Sequence, residues 1–359
     1  MAPLDGYHVL DLSLLLPGPL ATQILRDLGA RVTKIEPPAP GDYMALWPPM
    51  VGDVAATYHA VNRGKEIISL DLKSTADRDR FYEMAATADI VLEGFRPGVI
   101  DKLGIGYGEL SRRNPRIIVC SISGYGQAGP YSQRAGHDLN YQALAGVLSI
   151  SGGEETPNPQ LQVADTAAGS YAAAMLVVAA ALERERTGRG RHIDISMSEQ
   201  LLPLMTTTFA AADAEERDPN RDAELLSGGA PCYRVYRTKG GDHITLGALE
   251  PKFWLSVVEQ IGMPDLAGAA FHGGPDGPQI AARLAEVFAC RTRAEWEAIF
   301  AKADACVEPV LGFQEVRAHP HWQARESFVT LPTPDGRELR VPKMPASLAG
   351  FDTEEQRRK

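Results

Sequence analysis

Val9-Leu10-Asp11-Leu12, then Pro17-Gly18-Pro19, then the helical pattern Leu20 to Leu28 closed by Gly29, then Val32-Thr33-Lys34-Ile35: this stretch decides the fold of the 359-residue chain. A short apolar run bounded by turn residues reads as a buried strand, and Pro-Gly-Pro turns the chain into a helix. Gly29 stops that helix, and Pro37-Pro38 ends a second apolar strand. Strand, turn, helix and strand in that order predict a parallel, Rossmann-like sheet. The turn lacks GxGxxG, so the dinucleotide fingerprint is absent.

Working outward, further strands are expected at Ile67–Leu72, Asp89–Leu92, Arg116–Ser121 and His192–Met197. Helices are expected at Thr75–Ala86, over 137–149, from Asp165 to near Gly188, and from Ser198 to Ala214. Residues 40–62, centred on Trp47-Pro48-Pro49-Met50, read as loop. The charged run Glu215 to Asp222 marks a domain boundary. Beyond it, Tyr233–Arg237 and His243–Gly247 flank Lys239-Gly240-Gly241-Asp242 as a hairpin, and helices follow at Lys252–Ile261, Gln279–Cys290 and Arg293–Lys302. The expected class is α/β. A large Rossmann-like domain over 1–214 leads through a linker at 215–229 to a smaller α+β domain over 230–325, with an extended return segment and charged tail over 326–359.

A formal charge of −10 argues against nucleic acid and acidic membrane surfaces as partners, so an anionic ligand needs a local basic patch. The apolar tract Tyr171–Leu182 is too short to span a bilayer and reads as a buried helix. The sequence leads straight into the first strand, and no N-terminal signal is expected ahead of it. Cys120, Cys232, Cys290 and Cys306 form no CxxC pair and read as buried free thiols of a cytoplasmic protein.

The chemistry centres on Gly136-His137-Asp138-Leu139-Asn140-Tyr141, which follows the loop Gly124 to Pro130. His137 stands at the mouth of an expected helix, where unpaired backbone N–H groups can receive a developing oxyanion. An acid or base must face it. Asp165, read as the N-cap of the long helix, takes that part with Glu250 in support. Taken singly, such an aspartate is more often a structural cap and such a histidine a surface residue. In open α/β sheets ligands gather at the carboxyl ends of strands, where Lys73 and Arg96 lie.

With those residues in view, the chain resembles the family III CoA-transferase (CaiB/BaiF) superfamily and, within it, the racemase branch acting on α-methylacyl-CoA. The likeness rests on five ordered segments: Gly136–Tyr141, Val163-Ala164-Asp165, Ser227-Gly228-Gly229-Ala230-Pro231-Cys232-Tyr233, Gly247-Ala248-Leu249-Glu250-Pro251-Lys252-Phe253, and Asp304-Ala305-Cys306-Val307-Glu308-Pro309-Val310. The resemblance implies an interlocked homodimer with His137 and Asp165 from one chain and Glu250 from the other. It implies an acyl-CoA substrate, no separate cofactor and no metal.

It carries CoA and substrate contacts onto Leu70, Asp71, Leu72, Lys73, Gly94, Phe95, Arg96 and Lys102, together with Gly136, Asp138, Leu139, Asn140 and Tyr141. Where such racemases have Asp-Arg-Pro after the second strand, this chain has Glu36-Pro37-Pro38, and Arg63 and Lys65 are expected to replace the lost guanidinium. The implied activity is inversion at C2 of a 2-methylacyl-CoA thioester through an enolate, with His137 and Asp165 on opposite faces. The alternative is CoA transfer between carboxylic acids with Asp165 as nucleophile.

Overall fold

The computed structural model describes residues 2–152, 155–269, 276–333 and 335–343. The whole run after 343, the charged tail included, and residues 153 and 154 of the turn at 151–157 therefore lie outside the described residues. By contacts the chain divides into two compact units. One comprises Met1–Val147, Asn158–Thr206 and Pro320–Lys359, the other Leu148–Pro157 and Thr207–His319.

The first unit opens as its sequence predicts. Strand β1 (His8–Asp11), helix α1 (Pro17–Asp27) and strand β2 (Arg31–Glu36) follow in order, with Val9 and Leu10 wholly buried. Residues 40–62 are a correction. They hold a 3-10 turn at Tyr43–Leu46, a small hairpin of β3 (Met50–Val51) and β4 (Val54–Ala55), and helix α2 (Ala56–Asn62). Tyr58 and Val61 of α2 are buried with Met44 and Ala55 in a small core of their own. That apolar face was hidden in the sequence by the prolines around it.

Next come β5 (Glu66–Ser69), α3 (Thr75–Ala85), β6 (Ile90–Glu93), α4 (Val99–Lys102), α5 (Tyr107–Arg113) and β7 (Ile118–Ser123). A long crossover carries α6 (Asp138–Leu144), α7 (Val147–Ile150), a π-helical segment over Ala164–Tyr171 and α8 (Ala172–Thr187) to β8 (His192–Ser196). The six strands form one parallel sheet in the order β5-β2-β1-β6-β7-β8. Strand order reverses between β1 and β6, so the crevice beyond their carboxyl ends is where such a sheet binds ligands.

Three expected helices change. The one over 137–149 breaks at Gly146, whose φ of 86° no helix tolerates. The run from Ser198 is interrupted by the 3-10 turn Pro203–Met205, leaving α9 (Met197–Gln200) and α10 (Thr206–Glu215), because proline cannot donate into the ladder. The tract read as Tyr171–Leu182 belongs to a continuous helical run, Ala164–Thr187, of 24 residues. By length and composition that run could cross a bilayer, although half of it is buried inside the chain.

A buried ionic cluster ties β1 to the segment before β5. Lys65 Nζ donates to Asp11 Oδ2 at 3.1 Å, to Thr22 Oγ1 at 2.8 Å and to Asn62 Oδ1 at 2.9 Å. Lys34 Nζ meets Asp42 at 3.1 Å and donates to the Ser13 carbonyl at 2.7 Å. Burial favours the neutral acid at Asp11, yet Lys65, Lys34 and the Ser13 and Thr22 hydroxyls hold its carboxyl down at about 2. Arg63 pairs with Asp27. Both cations expected to replace the missing guanidinium are thus committed within the protein, a correction the sequence alone does not reveal.

The second unit packs α11 (Pro251–Gln260), α12 (Gly277–Ala289) and α13 (Arg293–Phe300) on a three-stranded antiparallel sheet. Its strands are β9 (Tyr233–Arg237), β10 (His243–Gly247) and β11 (Val307–Pro309), with β10 central. The hairpin pairs Tyr233 with Gly247, as its turn residues predict. Trp254, Phe288 and Trp296 fill this core, each at most 2% exposed. Helices α14 (Phe313–Ala318) and α15 (Pro320–Ala324) precede a hairpin of β12 (Phe328–Pro332) and β13 (Glu338–Pro342) that belongs to the first unit. Of the cysteines, Cys120 and Cys232 are buried, but Cys290 and Cys306 are exposed, correcting the expectation for those two.

Candidate active site

His137 and Asp165 both lie on the β7–β8 crossover, and hydrogen bonds bring their segments together. His137 has extended backbone immediately ahead of α6, and its N–H donates to Asn140 Oδ1 at 3.0 Å. The imidazole is exposed in this unit. Tyr141, buried one turn on, donates its hydroxyl to the Gly136 carbonyl at 2.5 Å. A β-carbon on Gly124 would fall 2.4 Å from the Tyr141 ring, and one on Gly136 would fall 2.8 Å from it. The two glycines therefore let the ring close against the backbone that presents His137. Tyr125 meets Tyr141 edge-on, with centroids 5.1 Å apart.

Asp165 is not the N-cap expected from its sequence. Val163 holds that place and Asp165 lies in the first turn of the π segment. The orphan amides of this helix start, Ala164 N–H and Asp165 N–H, donate to Asp138 Oδ1 at 2.8 and 3.1 Å. Because Asp138 does the capping, the Asp165 carboxyl is not called on for it. Ser170, wholly buried, has its hydroxyl 2.9 Å from the Asp165 carbonyl and 2.7 Å from the Pro17 carbonyl, which ties the π turn to the loop after β1. Burial, and then the negative charge of Asp138, push the Asp165 carboxyl up to about 7. A carboxyl poised there can both give and take a proton near neutrality.

Arg96 follows the carboxyl end of β6, one of the two strands at the crevice, and its charge is felt at the Tyr141 hydroxyl. Gln133 Nε2 donates to the Pro97 carbonyl at 3.2 Å, joining the Arg96 loop to the approach to His137. Lys73, Arg96 and Lys102 are all exposed. Leu70 turns its side chain into the core at 2% exposure and donates its N–H to the Glu36 carbonyl at 3.0 Å, and Leu72 and Phe95 pack partly against the same core. Asp71 Oδ1 accepts the Lys73 N–H at 3.1 Å and shapes that turn. Gly94, Leu139 and Asn140 are exposed.

Glu250 stands ahead of α11 in the second unit, exposed and making no side-chain cap. Sequence reasoning missed a second part for one residue and missed another residue altogether. Asp138, expected among the substrate contacts, also holds the Asp165 turn through its side chain. Glu93, 1% exposed, accepts the Phe95 N–H at 2.7 Å and so supports the Arg96 loop. An acidic residue closing an otherwise apolar strand was the available signal.

A family model described as CoA-transferase family III matches residues 4–359. α-Methylacyl-CoA racemase of Mus musculus is 37% identical over 347 residues, covering 96% of this chain and 86% of that protein. Acetyl-CoA:oxalate CoA-transferase of Acetobacter aceti is 34% identical over 372 residues, covering 99% and 91%. A solved structure of a CAIB/BAIF family protein from Brucella suis superimposes with a TM-score of 0.84 at 29% identity, covering 98% of this chain and 94% of that one. A parallel α/β sheet with a crevice at its switch point, superimposable over nearly the whole chain on a CAIB/BAIF family protein, defines the class. The chain belongs to CoA-transferase family III and is an enzyme of that superfamily.

Proposed function

We propose that this enzyme inverts the configuration at C2 of 2-methylacyl-CoA thioesters by 1,1-proton transfer. One of His137 and Asp165 removes the C2 proton, and the other returns one to the opposite face of the planar enolate. The amides of Asp138 and Leu139 receive the enolate oxygen. Glu250, from a second copy of the chain, orients the His137 imidazole. Lys73, Arg96 and Lys102 hold the CoA phosphates, and CoA enters as part of the substrate, with no other cofactor.

The observation that carries this reading is the Asp165 carboxyl, raised to about 7 on a turn hydrogen-bonded to the residue next to His137. Proton removal and nucleophilic attack both use the ionised carboxylate, so what favours the racemase is His137 on the adjoining helix start and the 37% identity to an α-methylacyl-CoA racemase. The 34% identity to an oxalate CoA-transferase favours the second reading, CoA transfer through an Asp165 anhydride. Incubating the enzyme with one enantiomer of a 2-methylacyl-CoA in heavy water, without an acceptor acid, separates them. Deuterium at C2 with loss of chirality is expected, and His137→Ala lowers that exchange on the order of a hundredfold or more. No exchange, together with a borohydride-trappable thioester at Asp165, overturns the racemase in favour of the transferase.

A further inference from the structure

We propose that Asp138 is a positioning residue for this reaction, its buried carboxylate pinning the turn that carries Asp165 to the helix headed by His137. The inference rests on the reading of Asp165 as a proton carrier. Asp138 is 7% exposed. Oδ1 accepts from Ala164 N–H at 2.8 Å and Asp165 N–H at 3.1 Å, across 26 and 27 residues of chain. Oδ2 accepts from Gln142 Nε2 at 2.6 Å. Gln142, 2% exposed and one turn along α6, thereby stops the carboxylate from rotating.

An ordinary N-cap serves the helix it begins, from a neighbouring residue. Here the cap comes from another helix, and that helix opens beside His137. A shift of the π turn against α6 changes the separation of the two proton carriers directly, and displacement of about 1 Å can cost a hundredfold in rate. The π turn needs such outside support. Its i→i+5 pattern is rare, and here it is held at one end by Asp138 and at the other by the Ser170 hydroxyl, 2.7 Å from the Pro17 carbonyl.

Asp138 acts a second time, through its charge. The elements packed on the π segment carry Asp138 and Tyr141 on α6, Glu199 on α9, His192 and Asp194 on β8, Arg26 and Asp27 at the end of α1 remote from Pro17, and Glu183, Arg184, Glu185 and Arg186 at the far end of α8. Of these, Asp138 bears on Asp165 and raises it, while the Tyr141 hydroxyl is itself raised by burial and by Asp165. One carboxylate thus sets both the place of Asp165 and part of its readiness to hold a proton.

Asp138→Asn and Asp138→Ala separate these roles. Asparagine keeps an oxygen for the two amides and removes the charge. Its kcat is expected to stay within about tenfold of the parent, while the limb of the kcat/KM–pH profile belonging to Asp165 moves down by roughly one pH unit. Alanine removes the clamp, and kcat is expected to fall on the order of a hundredfold with KM changed less. Circular dichroism and thermal unfolding confirm that the variants fold; should alanine fail, Gln142→Ala, which frees the carboxylate to rotate, is read in its place and is expected to lower kcat about tenfold or more. An undiminished kcat in the variant that loses the clamp, with Asp165→Ala inactive, overturns the positioning role and leaves the proposed function standing, whereas an unmoved profile in Asp138→Asn overturns only the charge effect. An active Asp165→Ala instead overturns the function on which it rests.

Discussion

Asp165 sets the behaviour of the site at the scale of single residues. Its native carboxyl, raised to about 7 by burial and Asp138, resists ionisation that an unfolded aspartate near 3.8 undergoes freely. Between those values the native state binds more protons than the unfolded one, so this group lowers stability as pH rises. Asp165→Asn, which mimics the protonated form, should therefore gain Tm relative to the parent as pH is raised from about 4 to about 8, with the gap levelling above about 7. Thermal scans at a series of pH values check this, and a gap independent of pH would contradict it. The glycines at 124 and 136 act at the same scale, since the Tyr141 ring occupies the space a side chain would need.

Among the elements, the first strand, first helix and second strand are joined by charges as well as by core packing. Lys65 and Asp11 are both wholly shielded at their side chains, so removing one leaves the other's charge unanswered. Lys65→Met is expected to destabilise the enzyme by about 3–5 kcal/mol, measured by urea unfolding, and adding Asp11→Asn should recover part of that loss. A variant within about 0.5 kcal/mol of the parent would show that the pair is replaceable as it stands. The cluster also reaches function. Asp42, paired with Lys34, accepts the Leu15 N–H at 3.1 Å, and Leu15 is held at a φ of 64° in the loop after β1. That loop closes one side of the crevice at the sheet's switch point.

At the scale of the whole molecule, the described residues leave an apolar stripe in water along one long helix. Tyr171, Met175, Val178 and Leu182 share one helical face, and each is more than a third exposed. Exposed apolar stripes of this kind mark contact surfaces. A second copy of the chain is the occupant we propose, consistent with Glu250 being supplied in trans. Co-expressing Asp165→Ala chains with Glu250→Ala chains tests it. Each mixed dimer would contain one site with an intact Asp165 and an intact Glu250, so roughly a quarter of parental activity should return from two inactive parents under random pairing. No recovery in mixed dimers isolated by two affinity tags would place Glu250 in the same subunit as its partners, or outside the site.

The alternation of strand and helix, the hairpin at 233–247 and the segments bearing His137, Asp165 and Glu250 were all legible in the sequence. Apolar periodicity and turn residues are local signals, and they report where a chain prefers to bend or to bury a face. What the tertiary structure alone decided is who satisfies whom. Lys65 turns inward to Asp11 rather than outward to a phosphate, helix α2 forms within a proline-rich stretch, and Asp138 rather than Asp165 caps the π turn. Each of these depends on a donor and an acceptor, or on apolar faces, brought together from separate parts of the chain. A hydrogen bond of about 3 Å is settled only by the folded backbone, because sequence distance carries no measure of it.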